Sequence, residues 1–325
     1  MRSHWKSVVM VAALALFLGI AAPAWSQLGD PLAEDYSAHV IPFYKIDDNW
    51  FSYLVVSDTS YGALAPSGTT FHLTFYNAAC NLVSDADIRL TAHDSQYFPL
   101  HDPEAANGQF NGIPSEGVVL LTPQLGTPAV SPVITYILLI NANNNSLIRI
   151  DSIPCRGPSG VVGTLCTRNA VGGGTGTWLR YGPYNTVAAT FGHEGLFQTS
   201  LYFFSAAGDL EEELGRYGFP IGTTAYADGL HVDAWCNEQY LGSRRLQLQC
   251  TQRLPLDVFN YTRLHEFPND NCQGAPGHIV TFSSDNGTDP VFEAYSGFQE
   301  TIAELVPGIN LVGTGYMHHR TPVVP

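Results

Sequence analysis

The chain has 325 residues, of which 45% are apolar and 13% charged, about half the ~25% charged content usual in globular proteins. The apolar share excludes an intrinsically disordered chain, which lacks the material for a core. Its 29 acidic and 14 basic residues, a net charge of −15, exclude nucleic acid as a partner, since phosphates demand a basic face.

Residues 1–26 read as an export signal. Arg2 and Lys6 form a positive start, Val8 to Ile20 is an apolar stretch, and Ala24-Trp25-Ser26 puts small residues at the −3 and −1 positions of a cleavage site. The 13 apolar residues fall short of the ~20 that a membrane span needs. Cleavage removes two cations and no acid, so residues 27–325 carry −17, with Lys45 as their one lysine. The expected product is exported to the periplasm or the cell surface and does not span a membrane after cleavage.

Strand signals dominate the first half. Thr70 to Tyr76 alternates, with Phe71, Leu73 and Phe75 on one face and His72 and Thr74 on the other. Val133 to Ile140 is apolar without alternation, which predicts a strand covered on both faces. The asparagine-rich stretch from Asn141 to Asn145 suits a turn, and a second strand from Ser146 to Ile153 completes a hairpin.

Four segments of this half stand in a recognisable order. They are Val40-Ile41-Pro42-Phe43-Tyr44, Trp50 through Ser57-Asp58-Thr59-Ser60, His72 through Cys80 (H-x-x-F-Y-x-x-x-C), and Leu90-Thr91-Ala92-His93-Asp94 (L-T-x-x-D). In these, residues 38–155 resemble a group of largely uncharacterised exported bacterial β-sandwich proteins. The resemblance implies a secreted β-sandwich and carries over no catalytic residue.

Arg156 to Thr177 holds seven glycines, including Gly172-Gly173-Gly174, and marks a candidate linker. The flanks carry a faint repeat at an offset of 128 residues. Trp50 and Tyr53 lie over Trp178 and Tyr181, and Leu73, Phe75, Ala78, Ala79 and Leu82 over Leu201, Phe203, Ala206, Ala207 and Leu210. The expected organisation is a signal at 1–26, a first β-sandwich domain at 27–155, a linker at 156–177 and a second β-sandwich domain at 178–325. Only Asp209 to Tyr217 and Gly297 to Leu305, the latter ended by Pro307-Gly308, read as short helices. The fold class is therefore all-β, an antiparallel sandwich with two tandem domains and few short helices.

Six cysteines in an exported chain favour disulfides. Cys155 and Cys166 are close enough in sequence to staple a loop. Arg245 to Thr251 alternates, with Leu246, Leu248 and Cys250 inward, and a hairpin turning at Gly242-Ser243 places Cys236 opposite Cys250. Cys80 and Cys272 then pair by elimination.

Catalytic signatures are missing: there is no G-x-S-x-G elbow, no H-E-x-x-H helix and no phosphate loop, so the reading leans away from an enzyme. Leu230 to Cys236 carries the main binding candidates. Leu230, Val232, Ala234 and Cys236 share a core face, while His231, Asp233 and Trp235 share the other. An outward tryptophan between polar groups suits a sugar platform, although burial against another element is the commoner fate of tryptophan. His231 and Asp233, with His318 and His319 near the C-terminus, offer copper or zinc ligands, the one cofactor the sequence suggests.

Three functions remain in play. The leading one is a secreted, non-enzymatic structural or adhesive protein associated with the cell envelope, binding envelope polysaccharide or another surface protein, or assembling with itself. The others are a glycan-binding module using exposed aromatics and a periplasmic metal binder.

Overall fold

The computed structural model describes residues 38–58, 68–91, 94–102, 104, 108–123, 133–143, 145–156, 177–178, 187–191, 197–204, 206–218, 230–236, 239–246, 250–255, 278–284, 296–306, 309–316 and 318–319. For most of the strands beyond 177 it describes the backbone alone. Residues 1–26, expected to be an export signal, and most of the glycine-rich stretch lie outside the described residues.

The protein is an all-β sandwich, and every strand pairing among the described residues is antiparallel. The first half supplies β1 (Ala38–Lys45), β2 (Trp50–Asp58), β3 (Thr69–Asn77), β4 (Leu82–Leu90), β5 (Ser95–Pro99), β6 (Glu116–Pro123), β7 (Val133–Asn141), β8 (Ser146–Asp151) and β9 (Ile153–Arg156). After the glycine-rich stretch come β10 (Thr177–Trp178), β11 (Val187–Phe191), β12 (Phe197–Phe204), the helix α1 (Gly208–Gly215), β13 (Leu230–Cys236), β14 (Gln239–Leu246) and β15 (Thr251–Pro255). The last four strands are β16 (His278–Ser284), β17 (Ser296–Val306), β18 (Ile309–Tyr316) and β19 (His318–His319).

Four sheets result. The first runs β10-β9-β1-β6-β3-β4 and the second β5-β2-β7-β8. The third runs β14-β13-β16-β11-β19 and the fourth β15-β12-β17-β18.

The first two sheets face each other across the main core. Ile41, Phe71, Leu73, Phe75, Val119 and Leu121 come from one side, and Leu54, Val56, Ile137, Leu139, Ile148 and Ile150 from the other. The alternation expected in β3 holds, with Phe71, Leu73 and Phe75 buried and His72 and Thr74 half-exposed. Pro42 breaks the β1–β6 register, where a residue without an N–H is tolerated. In β6, a Cβ at Gly117 would overlap the Tyr76 carbonyl oxygen, so this close strand approach admits glycine alone.

The opposite face of the first sheet is covered too. Val40, Tyr76, Val118, Leu120 and Ile153 pack with Phe204, Ala206, and Leu210 and Leu214 of α1. The turn after β3 is the joint. The Ala78 carbonyl accepts from Thr251 N–H, and the Cys80 carbonyl from Leu210 N–H, each at 3.3 Å. An Asp209 carboxylate oxygen accepts from Leu82 N–H at 2.8 Å. Residues 78–82 thus meet 206–210, the segment that stands 128 residues later in the faint repeat. Nearby, Arg253 Nε donates to Tyr202 Oη at 3.0 Å and its guanidinium lies 5.1 Å from the buried Trp50 ring.

A disulfide closes this joint, and it corrects the expected pairings. Cys80 bonds Cys250, so Cys250 is not joined to Cys236, nor Cys80 to Cys272. The β13–β14 hairpin turns between Cys236 and Gln239, which face each other in register, rather than at Gly242-Ser243. Cys250 falls beyond the end of β14, immediately before β15. Cys155 is also disulfide-bonded, and its expected partner Cys166 lies outside the described residues.

Two further expectations change. Gly297 to Leu305 is not a helix: it lies in the eleven-residue β17, flanked by β12 and β18. Ladder pairing on both sides outweighs its helix-forming Glu, Gln, Ala and Leu. In contrast, Asp209 to Tyr217 does supply the helical α1. The β7–β8 hairpin forms as expected, but β7 is not covered equally on both faces. Val133, Thr135, Ile137 and Leu139 are buried, whereas Ile134, Tyr136, Leu138 and Ile140 are half-buried on the outer side.

Candidate functional site

The candidates from the sequence fall in the third sheet. Leu230–Cys236 is strand β13, so His231, Asp233 and Trp235 do occupy alternate positions of one strand. Register relates them to the C-terminal histidines. Asp233 pairs with Thr281, Thr281 with Ala188, and Ala188 with His318. Asp233 and His318 therefore share a row but stand three strand spacings apart, roughly 14 Å. That separation exceeds what one ion bridges at ~2 Å ligand distances. His319 pairs with Val187 one position along, on the alternate face. Among the described residues, no group of three or more His, Cys, Asp or Glu side chains is placed to hold a metal ion.

A different surface gathers chemistry: the outer face of the second sheet. β2 is apolar on both sides. Trp50, Ser52, Leu54 and Val56 point into the core, which leaves Phe51, Tyr53 and Val55 outward. Ser52 is tolerated inside because its Oγ accepts from Lys45 N–H at 3.0 Å and donates to Lys45 O at 2.7 Å.

Register then builds the outer face in rows. One row is Tyr97, Val55, Tyr136 and Asp151; the next is Pro99, Tyr53, Leu138 and Arg149; a third is Phe51, Ile140 and Leu147. Tyr97 and Leu147, on the two edge strands of this sheet, are 61% and 57% exposed.

The rings are held in place by one another. His101 packs edge-on against both Phe51 and Tyr53, at centroid distances of 5.1 and 4.9 Å. Tyr97 and Tyr136 interact through their side chains across Val55. The Arg149 guanidinium lies 4.1 Å from the centre of the Tyr136 ring, while its Nε donates to Asp151 Oδ1 at 2.7 Å. Burial, opposed by the neighbouring Arg149 charge, leaves the Tyr136 hydroxyl with a raised pKa. It stays protonated at neutral pH and able to donate.

The sequence does not single out this surface: its aromatic platform is expected at Trp235. The available signal was W-F-S-Y-L-V-V in β2 beside the continuous apolar run in β7. Two strands apolar on both faces, with no helix nearby in sequence to cover them, imply an exposed apolar sheet face.

A polar cluster sits on the outer side of the first sheet, at its β3–β4 edge. His72 Nδ1 is 2.8 Å from Asp87 Oδ1, and Nε2 is 3.7 Å from Asp85 Oδ2. Gln109 Oε1 accepts from Asp87 N–H at 2.7 Å, which occupies part of that open strand edge.

No family model matches the chain, and no curated protein matches it. Among solved structures it is similar to one described as the M60 catalytic domain with the CBM51-1 and CBM51-2 domains from Clostridium perfringens ZmpB. The identity is 6% and the TM-score 0.17, over 86% of this chain and 33% of that one. The chain thus spans about a third of that structure's length. Among the described residues no helix is long and apolar enough to cross a membrane.

Proposed function

We propose that the protein is exported and works by surface binding, in an adhesive or envelope-associated role, rather than by catalysis. The observation that carries this reading is the outer face of the second sheet. A sandwich that spends Phe51, Tyr53, Tyr97, Tyr136, Leu138, Ile140 and Leu147 on one half-exposed face keeps apolar area available for a partner. The Cys80–Cys250 disulfide supports export, because such bonds persist in oxidising compartments. The signal-like residues 1–26 point the same way. A two-domain organisation with its division at 156–177 also belongs to this reading.

Co-sedimentation of the purified protein with isolated bacterial cell envelopes tests it. Retention on the envelopes, reduced by Leu147→Ser, is the expected result. Failure to bind, or a specific turnover abolished by one carboxylate or histidine substitution, would overturn the reading.

A further inference from the structure

We propose that the outer face of the second sheet binds an uncharged polysaccharide. Tyr97, Tyr53 and Phe51 form the stacking surface, and the Arg149–Asp151 pair, with Arg149 lying over the Tyr136 ring, forms its hydrogen-bonding margin. This rests on the surface-binding reading above and names the class of ligand.

The chemistry of the face selects that class. A pyranose ring has C–H bonds on its flat faces and hydroxyls around its rim. Aromatic faces carry negative charge density that attracts the C–H bonds, while the rim needs donors and acceptors together. Here the rings lie in adjacent rows, and Arg149 and Asp151 stand beside Tyr136 as donor and acceptor, both about one-third exposed. The pair is internally neutralised, so it offers hydrogen bonds without a charge that would favour an ion. The Ser57 and Ser95 hydroxyls, 2.7 Å apart, add a second polar margin at the far end of β2 and β5. The chain's net charge of −15 disfavours acidic polymers.

Size argues against a protein partner. Three strand spacings by six residues of β2 give about 14 by 20 Å, or roughly 300 Å². A stable protein interface needs about 800 Å² from each partner. A single polysaccharide strand lying across the rows fits the smaller patch.

Affinity electrophoresis through gels containing amylose or hydroxyethyl cellulose, with alginate as the acidic comparison, tests the assignment. The wild type is expected to be retarded by a neutral polymer and not by alginate. Tyr97→Ala is expected to weaken that retardation about tenfold, with Tyr97→Phe retaining it and Trp235→Ala leaving it unchanged. Arg149→Ala, expected to weaken binding as well, serves if Tyr97→Ala does not fold. Absence of retardation by both neutral polymers, equal retardation by alginate, or Tyr97→Ala and Arg149→Ala behaving as wild type would overturn it. So would a dimer in sedimentation that Tyr97→Ala dissolves. Envelope binding that persists without neutral-glycan binding refutes this ligand class while sparing the surface-binding reading; loss of both refutes the two together.

Discussion

His39 shows how one side chain ties stability to pH. It lies fully buried in β1, with Nδ1 at 3.0 Å from Ser152 Oγ, and burial lowers its pKa from 6.5 to about 3. The unfolded chain therefore binds a proton below about pH 6.5 that the folded chain refuses until about pH 3. Stability from this group is complete above the unfolded pKa and is lost as pH falls through that window, by several kcal/mol in all. In urea unfolding, the wild type should lose more stability than His39→Asn on going from about pH 7 to about pH 4. Parallel losses in the two proteins would contradict this. Gly117 makes a steric counterpart. Gly117→Ala forces a Cβ onto the Tyr76 carbonyl oxygen, and overpacking of this kind costs ~1–3 kcal/mol, readable as a lower melting temperature.

At the scale of elements, the joint between the turn after β3, α1 and the start of β15 fixes how the two halves of the sequence meet. The Cys80–Cys250 bond closes a separation of 170 residues, which by chain entropy stabilises the fold by about 5 kcal/mol. Cys80→Ser with Cys250→Ser should therefore lower the urea midpoint sharply, and non-reducing peptide mapping should recover a Cys80–Cys250 peptide. A Cys236–Cys250 peptide would refute the joint. Much of the first half was legible here: the face assignment of β3 and the β7–β8 hairpin follow from periodicity and an asparagine-rich turn. The disulfide was not, because the chosen partner depended on where a hairpin turned, and a turn between Cys236 and Gln239 moves every cross-strand neighbour. Nor was β17, whose Gln, Glu, Ala and Leu content favours a helix until β12 and β18 pair with it on both sides. Propensity is local, and these two outcomes were decided by contacts distant in sequence.

For the whole molecule, the division of aromatic residues between core and outer surface determines what the protein can do. Phe43, Phe71, Phe75 and Phe110 fill the core, and Tyr53, Tyr97 and Tyr136 remain on the outer side of the second sheet. Of the strands that carry this face, the sequence indicated β7 and β8 by their hairpin and β2 by the resemblance, missed β5, and pointed to Trp235 for the platform, because an apolar position looks the same in sequence whether or not something packs over it. Hydroxyl-radical footprinting of the protein with and without bound cell envelopes compares the two places in one measurement. The account predicts that Tyr97 and Leu147 lose reactivity on binding while Trp235 does not. Unchanged reactivity at Tyr97 and Leu147, with protection confined to Trp235, would contradict it.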